Sequence, residues 1–189
     1  MKKYAIIVAG GSGTRFGSTL PKQFVPLGGV PVLMRTIKAF ADYDRDINIV
    51  VALPSEHLTL WGDLCALRNF DVPHKVVEGG ANRFESVRNA LFAVNETECL
   101  VAVHDGARPL VSRQVIAAGF ETAARCGTAI PTVPVTDSIR QLDRNGSHNV
   151  SRESLVAVQT PQTFRVEILK EAYTTAFSPL FTDDASVVE

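Results

Sequence analysis

Short apolar runs alternate along the chain with segments of helical spacing, and that rhythm predicts an α/β architecture. Tyr4-Ala-Ile-Ile-Val8 reads as a buried strand running into glycines. Pro31 can open a helix whose Leu33, Ile37 and Phe40 share one face, and residues 47–53 form a second buried strand. Ser55 is expected to cap a helix carrying Leu58, Trp61 and Cys65. Val76-Val77 is a short strand, and residues 83–95 are a helix with Val87, Ala90, Leu91 and Val94 on one side. Residues 100–103 form a central strand. Ser112 is expected to cap a helix presenting Val115, Ile116, Phe120 and Ala123 inward. A strand over 128–135 and a helix over 166–177 complete the pattern.

This order predicts a Rossmann-like three-layer sandwich, a mostly parallel sheet with helices on both faces. Ligands in such folds sit beyond the carboxyl ends of strands, which singles out the loops after Val8, Val77 and Val103. After Val135 the rhythm breaks into a polar stretch containing Asp143-Arg-Asn-Gly-Ser147. Asn-Gly signals a hairpin, so residues 137–157 are expected to protrude as a β-arm from a single domain over 1–189.

Nineteen basic and twenty acidic residues give a net charge of -1, which excludes a general binder of nucleic acid or of membrane surfaces. Cys65, Cys99 and Cys126 form no Cys-x-x-Cys pair, and the four histidines lack metal-ligand spacing. A reduced, cytoplasmic protein is expected. The apolar stretch after Lys2-Lys3 is too short for a signal peptide, and no run approaches the ~20 residues of a membrane helix.

Three stretches carry candidate chemistry. The first is Ala9-Gly10-Gly11-Ser12-Gly13-Thr14-Arg15-Phe16-Gly17, followed by Pro21-Lys22-Gln23. Glycines after a first strand let backbone N–H groups approach phosphates. No Lys-Ser or Lys-Thr follows Gly17, so this is not a Walker A loop, and Phe16 breaks the Gly-x-Gly-x-x-Gly pattern. Arg15 and Lys22 instead supply fixed cations, which suit a triphosphate gaining charge during reaction better than a dinucleotide. A plain strand-to-helix turn with solvated charges is the competing reading. The second is Glu78-Gly79-Gly80-Ala81-Asn82-Arg83-Phe84-Glu85-Ser86, whose Arg83 and Ser86 can reach a base, ribose or phosphate or lie on the surface. The third is His104-Asp105-Gly106-Ala107-Arg108-Pro109 at the end of the central strand. A carboxylate there needs a partner, so Asp105 is either a ligand for Mg²⁺ carried by a nucleotide or an ion pair with Arg108. His104 reads as a packing or hydrogen-bonding residue, not a base.

Taken together, these stretches resemble the 2-C-methyl-D-erythritol 4-phosphate cytidylyltransferases. Pro134-Val-Thr-Asp-Ser138, Arg152, Gln159-Thr-Pro-Gln162 and Thr182-Asp-Asp-Ala185 extend the resemblance over essentially the whole chain. It implies a nucleotide site from Ala9, Gly10, Gly11, Ser12, Gly80, Arg83, Ser86 and Gly106, with Arg15 and Lys22 as the catalytic cations. Asp105, Arg108, Ser138 and Arg152 would face the acceptor phosphate, and Asp105 would hold the divalent cation. The arm would cross to a second subunit, placing Ser138 and Arg152 at the neighbour's site in a homodimer. Ser138 stands where many relatives carry Thr, which keeps the hydroxyl. The family pattern also implies a further strand, helix and active-site lysine beyond Glu189.

The implied reaction joins CTP to a small sugar or polyol phosphate and releases pyrophosphate. A phosphate monoester has a second pKa of about 6, so it is its own nucleophile and no Ser-His-Asp arrangement is required. Ribitol 5-phosphate is the alternative acceptor, and a non-catalytic nucleotide-binding protein the alternative class. Transfer of another nucleotide is disfavoured by residues 104–109.

Overall fold

The computed structural model describes residues 1–11 and 20–189. Strand β1 (Lys2–Val8) is followed by a 3-10 turn (Lys22–Phe24) and the two-residue strands β2 (Pro26–Leu27) and β3 (Val30–Pro31). Helix α1 (Val32–Tyr43) leads to β4 (Asn48–Leu53), α2 (Leu58–Leu67), β5 (Lys75–Glu78), α3 (Arg83–Phe92), β6 (Cys99–Asp105) and α4 (Arg113–Cys126). Six short strands then follow one another closely: β7 (Thr128–Ala129), β8 (Thr132–Pro134), β9 (Ile139–Asp143), β10 (Gly146–Val150), β11 (Val156–Val158) and β12 (Gln162–Arg165). Helices α5 (Val166–Ala172) and α6 (Ala185–Val188) come last.

The main sheet has the order β5-β4-β1-β6-β12-β7. β5, β4, β1 and β6 run parallel, and β12 pairs antiparallel with both β6 and β7. Both faces are buried, which explains the near-continuous apolar strands. Ala5, Ile7, Val51 and Ala102 point to a layer with Leu33, Ile37 and Phe40 of α1, Trp61 of α2 and Phe120 of α4. Ile6, Val8, Val101 and Val103 point to the other layer, with Phe84 and Leu91 of α3, Leu169 of α5 and Val187 of α6. The three-layer expectation therefore holds.

From β1 the chain builds outward to β4 and β5, then returns across to β6. The strand order thus reverses between β1 and β6, where Val8 lies beside Asp105. That junction opens a crevice at the carboxyl ends of the strands.

Several local expectations need correcting. Ser55 caps nothing with its side chain: Pro54 leads into a 3-10 turn over Ser55–His57, and α2 starts only at Leu58. Asn82 caps α3, which ends at Phe92; Val94 is reached through a turn and still packs inward. Ser112 does cap α4, accepting from the Val115 N–H, but Val115 itself is exposed. The strand expected over 128–135 is split at Ile130-Pro131, because Pro131 has no N–H for a ladder; β8 leaves the sheet to pair with β11. The helix expected over 166–177 stops at Ala172. In the arm, β9 and β10 pair antiparallel about Arg144-Asn145, and Gly146, with φ 138°, begins the return strand. No described helix is long and apolar enough to cross a membrane.

Candidate active site

At the crevice between β1 and β6 the two backbones come close. The Gly106 N–H donates to Val8 O at 2.8 Å, and Thr36 of α1 donates its hydroxyl to Gly106 O at 2.9 Å. A Cβ on Gly106 would lie 2.8 Å from the Ala9 Cβ and 3.2 Å from Val8 O, so only glycine lets the two strand ends meet. Beside them, buried Gln23 donates its side-chain amide to Ala9 O at 2.7 Å. This bond fastens the 3-10 turn carrying Lys22 to the end of β1.

The third wall is the entry to α3. Asn82 Oδ1 accepts from the Glu85 N–H at 2.9 Å, while Glu85 Oε2 reaches back to the Ala81 N–H at 2.8 Å. This variant of the capping box sets the angle at which α3 leaves the loop. Ser86 Oγ accepts from Gly80 N–H and donates to Asn82 O at 2.8 Å, so Ser86 is spent on holding its own loop. A Cβ at Gly80 would meet the Glu85 Cβ at 2.2 Å, which explains the glycine.

These walls enclose a cleft of about 570 Å³, with Gly10, Gly11, Lys22, Gly80, Arg83 and Asp105 among its lining. A second pocket of about 230 Å³ adjoins it, lined by Gln159, Thr160, Gln162, Thr182 and Asp183. Arg83, Asp105 and Arg108 belong to both. Among the described residues nothing accepts from the Gly10 or Gly11 amide, and amides in this position after a strand are of the kind that can meet an anion. Lys22 is exposed to the cleft and forms no ion pair with a described residue.

Charges alternate across the shared wall. Asp184 Oδ2 accepts from Arg83 Nη2 at 2.7 Å, Arg83 Nε lies 3.5 Å from Asp105 Oδ1, and Arg108 Nε lies 2.9 Å from Asp105 Oδ2. Arg108 also donates to Gln159 Oε1. Burial alone would lower the Arg83 pKa, but Asp184 and then Asp105 outweigh it and raise it above the ordinary arginine value. Burial likewise opposes ionisation of Asp183, yet hydrogen bonds from Gln162 and Ser186 hold its pKa below the usual carboxylate value. His104 is fully buried beneath the loop, its Nε2 donating to Arg108 O at 3.0 Å. Burial pushes its pKa down to about 4, so the ring is neutral; it packs edge-on against Phe40 and lines neither pocket.

The structure thus gathers Ala9, Gly10, Gly11, Lys22, Gly80, Arg83, Ser86, Asp105, Gly106 and Arg108 at one crevice. Arg15 and Ser12 lie outside the described residues. Ser138 and Arg152 line neither pocket: both are exposed on the arm, where Arg152 donates to Thr136 O. Sequence reasoning assigned no role to Gln23, Asn82, Glu85 or Asp184. The Asn82-x-x-Glu85 spacing was a readable cap signal; the distant partners of Gln23 and Asp184 left no local trace.

Backbone amides beside fixed cations, with Asp105 as the one carboxylate among the described residues lining the cleft and paired there with Arg83 and Arg108, suit a reaction whose phosphate substrate brings its own nucleophile. The class these features define is the α/β nucleotidyltransferases. Comparison narrows the class. The chain belongs to the 2-C-methyl-D-erythritol 4-phosphate cytidylyltransferase family, whose model matches residues 4–189. It is 51% identical to the enzyme of that name from Bacteroides thetaiotaomicron over 189 residues, all of this chain and 86% of that protein. Against the Porphyromonas gingivalis enzyme the identity is 50% over 188 residues, again all of this chain and 83% of that protein. The crystal structure of the Thermus thermophilus enzyme superposes with a TM-score of 0.76 at 34% identity, covering 100% of this chain and 83% of that one.

Proposed function

We propose that this chain transfers the cytidylyl group of CTP to 2-C-methyl-D-erythritol 4-phosphate, releasing pyrophosphate. The observation that carries the reading is the pair of adjoining pockets with Arg83, Asp105 and Arg108 between them, in a chain half identical to enzymes named for this reaction. The larger cleft suits the nucleotide, with its phosphates on the Gly10-Gly11 amides. The smaller polar pocket suits the acceptor. Phosphate oxygen of the acceptor attacks the α-phosphorus in line, the bond to the pyrophosphate oxygen breaks, and pyrophosphate leaves. Repulsion between the anions is the obstacle, so Lys22, with Arg15, neutralises the triphosphate while Arg83 and Arg108 align the partners.

A divalent cation fits this donor set. Mg²⁺ is commonly held by one or two carboxylates together with substrate phosphates and water, and Asp105 supplies one carboxylate at the boundary between the pockets. No group of three or more possible ligands occurs among the described residues, which accords with a metal that enters with the nucleotide. When bound, it would neutralise phosphate charge. Asp105 would then have to share itself between the metal and its two arginines.

A homodimer through the arm extends the same reading. Leu142 on the arm and Val156 on the β8–β11 ribbon are 79% and 58% exposed, large apolar side chains that a second copy could cover. In the homodimer the arm brings Ser138 and Arg152 to the neighbour's acceptor pocket. The three cysteines are free, in keeping with a reduced cytoplasmic setting.

The test is pyrophosphate release by the purified chain with CTP, Mg²⁺ and either 2-C-methyl-D-erythritol 4-phosphate or ribitol 5-phosphate. Turnover with the first alone is expected. Turnover with ribitol 5-phosphate alone would replace the acceptor, and CTP binding without turnover on either would reduce the chain to a nucleotide-binding protein.

A further inference from the structure

We propose that Asp184, buried behind the site wall, is a positioning residue that fixes the Arg83 guanidinium at the boundary between the nucleotide cleft and the acceptor pocket. The inference rests on the reading of those two pockets given above. None of the Asp184 side chain is exposed, and a buried carboxylate is costly unless its charge is answered. Both its oxygens are engaged. Oδ2 accepts from Arg83 at 2.7 Å and Oδ1 from the Tyr173 hydroxyl at 2.6 Å. Tyr173 is itself anchored in the core, stacked on Phe84 with ring centroids 4.7 Å apart.

The loop that carries Asp184 is held independently of Arg83. Fully buried Gln162 donates to Asp183 Oδ2 and accepts from the Ala185 N–H, each at 2.9 Å. The Ser186 N–H donates to Asp183 Oδ1 at 2.9 Å as well. Gln162 belongs to β12, paired with β6 at Val103, so this clamp is referenced to the central sheet. Asp184 therefore has little freedom to follow Arg83, whereas Arg83, at the mouth of α3 and partly exposed, can follow Asp184.

The unequal spacing shows what the anchor achieves. Arg83 Nε stands 3.5 Å from Asp105, while Arg108 sits 2.9 Å from the same carboxylate. Released from Asp184, Arg83 would close on Asp105, its remaining anionic neighbour. It would then compete with Arg108 and leave the wall it shares with both ligands. Holding Arg83 back keeps its free edge toward the cleft and leaves Asp105 to Arg108.

A double-mutant cycle on CTP affinity tests this, using calorimetry on the full chain and thermal unfolding as a check on each variant. Asp184→Asn removes the charge with little change of shape. Arg83→Gln removes the group positioned while leaving a donor for Asp184. Asp184→Asn is expected to weaken CTP binding about tenfold when Arg83 is present and by less than about twofold in the Arg83→Gln background. Equal losses in both backgrounds, the mark of a merely structural role, would overturn the proposal, as would no loss in either. Should Asp184→Asn fail to fold, Tyr173→Phe replaces it in the cycle. It keeps the charge but frees Oδ1, and a smaller loss with the same dependence on Arg83 is expected. CTP affinity requires no turnover, so an inactive wild-type enzyme would sink the transferase reading while the cycle remained readable.

Discussion

Substituting Gly106 by alanine tests whether the meeting of β1 and β6 sets the site. The added Cβ would stand 2.8 Å from Ala9 Cβ, 3.1 Å from Leu33 Cδ1 and 3.2 Å from Val8 O. Carbon pairs are comfortable at about 3.5 Å or more, so relief at Ala9 requires a movement of about 0.7 Å, the difference between 3.5 and 2.8 Å. Two of the three obstacles belong to the chain immediately following or within β1, which sheet hydrogen bonds hold in place, and the Gly106 N–H and C=O are themselves tied to Val8 and Thr36. Overpacking of this kind costs about 1–3 kcal/mol. For a domain of this size each kcal/mol is worth about 2–4 °C, so the unfolding midpoint should drop by about 2–12 °C. The displaced loop carries Asp105 and Arg108, and a shift approaching 1 Å at a reacting centre costs about 10²-fold in rate. The assay is kcat and KM by pyrophosphate release, with calorimetric unfolding alongside. Gly62→Ala is the control: it sits in α2 with open space around its Cβ, and should raise stability by about 0.5–1 kcal/mol without touching activity. A Gly106→Ala enzyme with unchanged midpoint and unchanged kcat/KM would refute the argument that this contact governs the site.

Three further variants, at Lys22, Arg152 and His104, carry the remaining predictions. Lys22→Ala should lose about 10²-fold or more in kcat with its fold intact, and Arg152→Ala should raise the acceptor KM. If the arm serves the neighbour, mixing these two inactive or weakened variants restores one complete site per mixed dimer; no recovery above the separate variants would argue against crossing. His104 should leave a signature in acid. Its folded pKa, lowered by burial to about 4 from 6.5, means that the unfolded chain binds the proton first as pH falls. The stability contribution is complete above pH 6.5 and drains away toward pH 4, by about 3 kcal/mol in all. A His104→Gln variant should lack that slope between pH 6.5 and 4.5, as followed by denaturant unfolding; a wild-type curve flat over this range would contradict the buried, neutral imidazole.

Much of the fold was legible because it is written in periodicity. β1, α1, β4 and β6 are continuous or evenly spaced apolar runs, buried on the faces expected of them. Failures cluster where the chain stops alternating. Pro131 turns one expected strand into two, and the 3-10 turn after Pro54 displaces a cap, because both depend on which backbone groups find partners at a distance. The candidate site divides in the same way. Gly80, Arg83, Asp105, Gly106 and Arg108 sit on strand ends and helix mouths whose position follows from the fold class. Gln23 reaches Ala9 across a loop, and Asp184 reaches Arg83 across 101 residues; neither pairing has a spacing to betray it. Ser138 and Arg152 are a separate matter, since their expected destination is another copy of the chain.

That separation of 101 residues has a temporal side. Synthesis at about 5–20 residues per second puts about 5–20 s between the emergence of Arg83 and that of Asp184. From the emergence of Asp105 onward β1, β4, β5 and β6 can already assemble, since their pairings need nothing beyond that residue. The half of the crevice that would cradle a triphosphate is therefore available first. Its acceptor side, with Gln162 and Asp184, closes last, so a nascent chain passes through a stage in which Arg83 has Asp105 as its partner and awaits the carboxylate that will pull it into place.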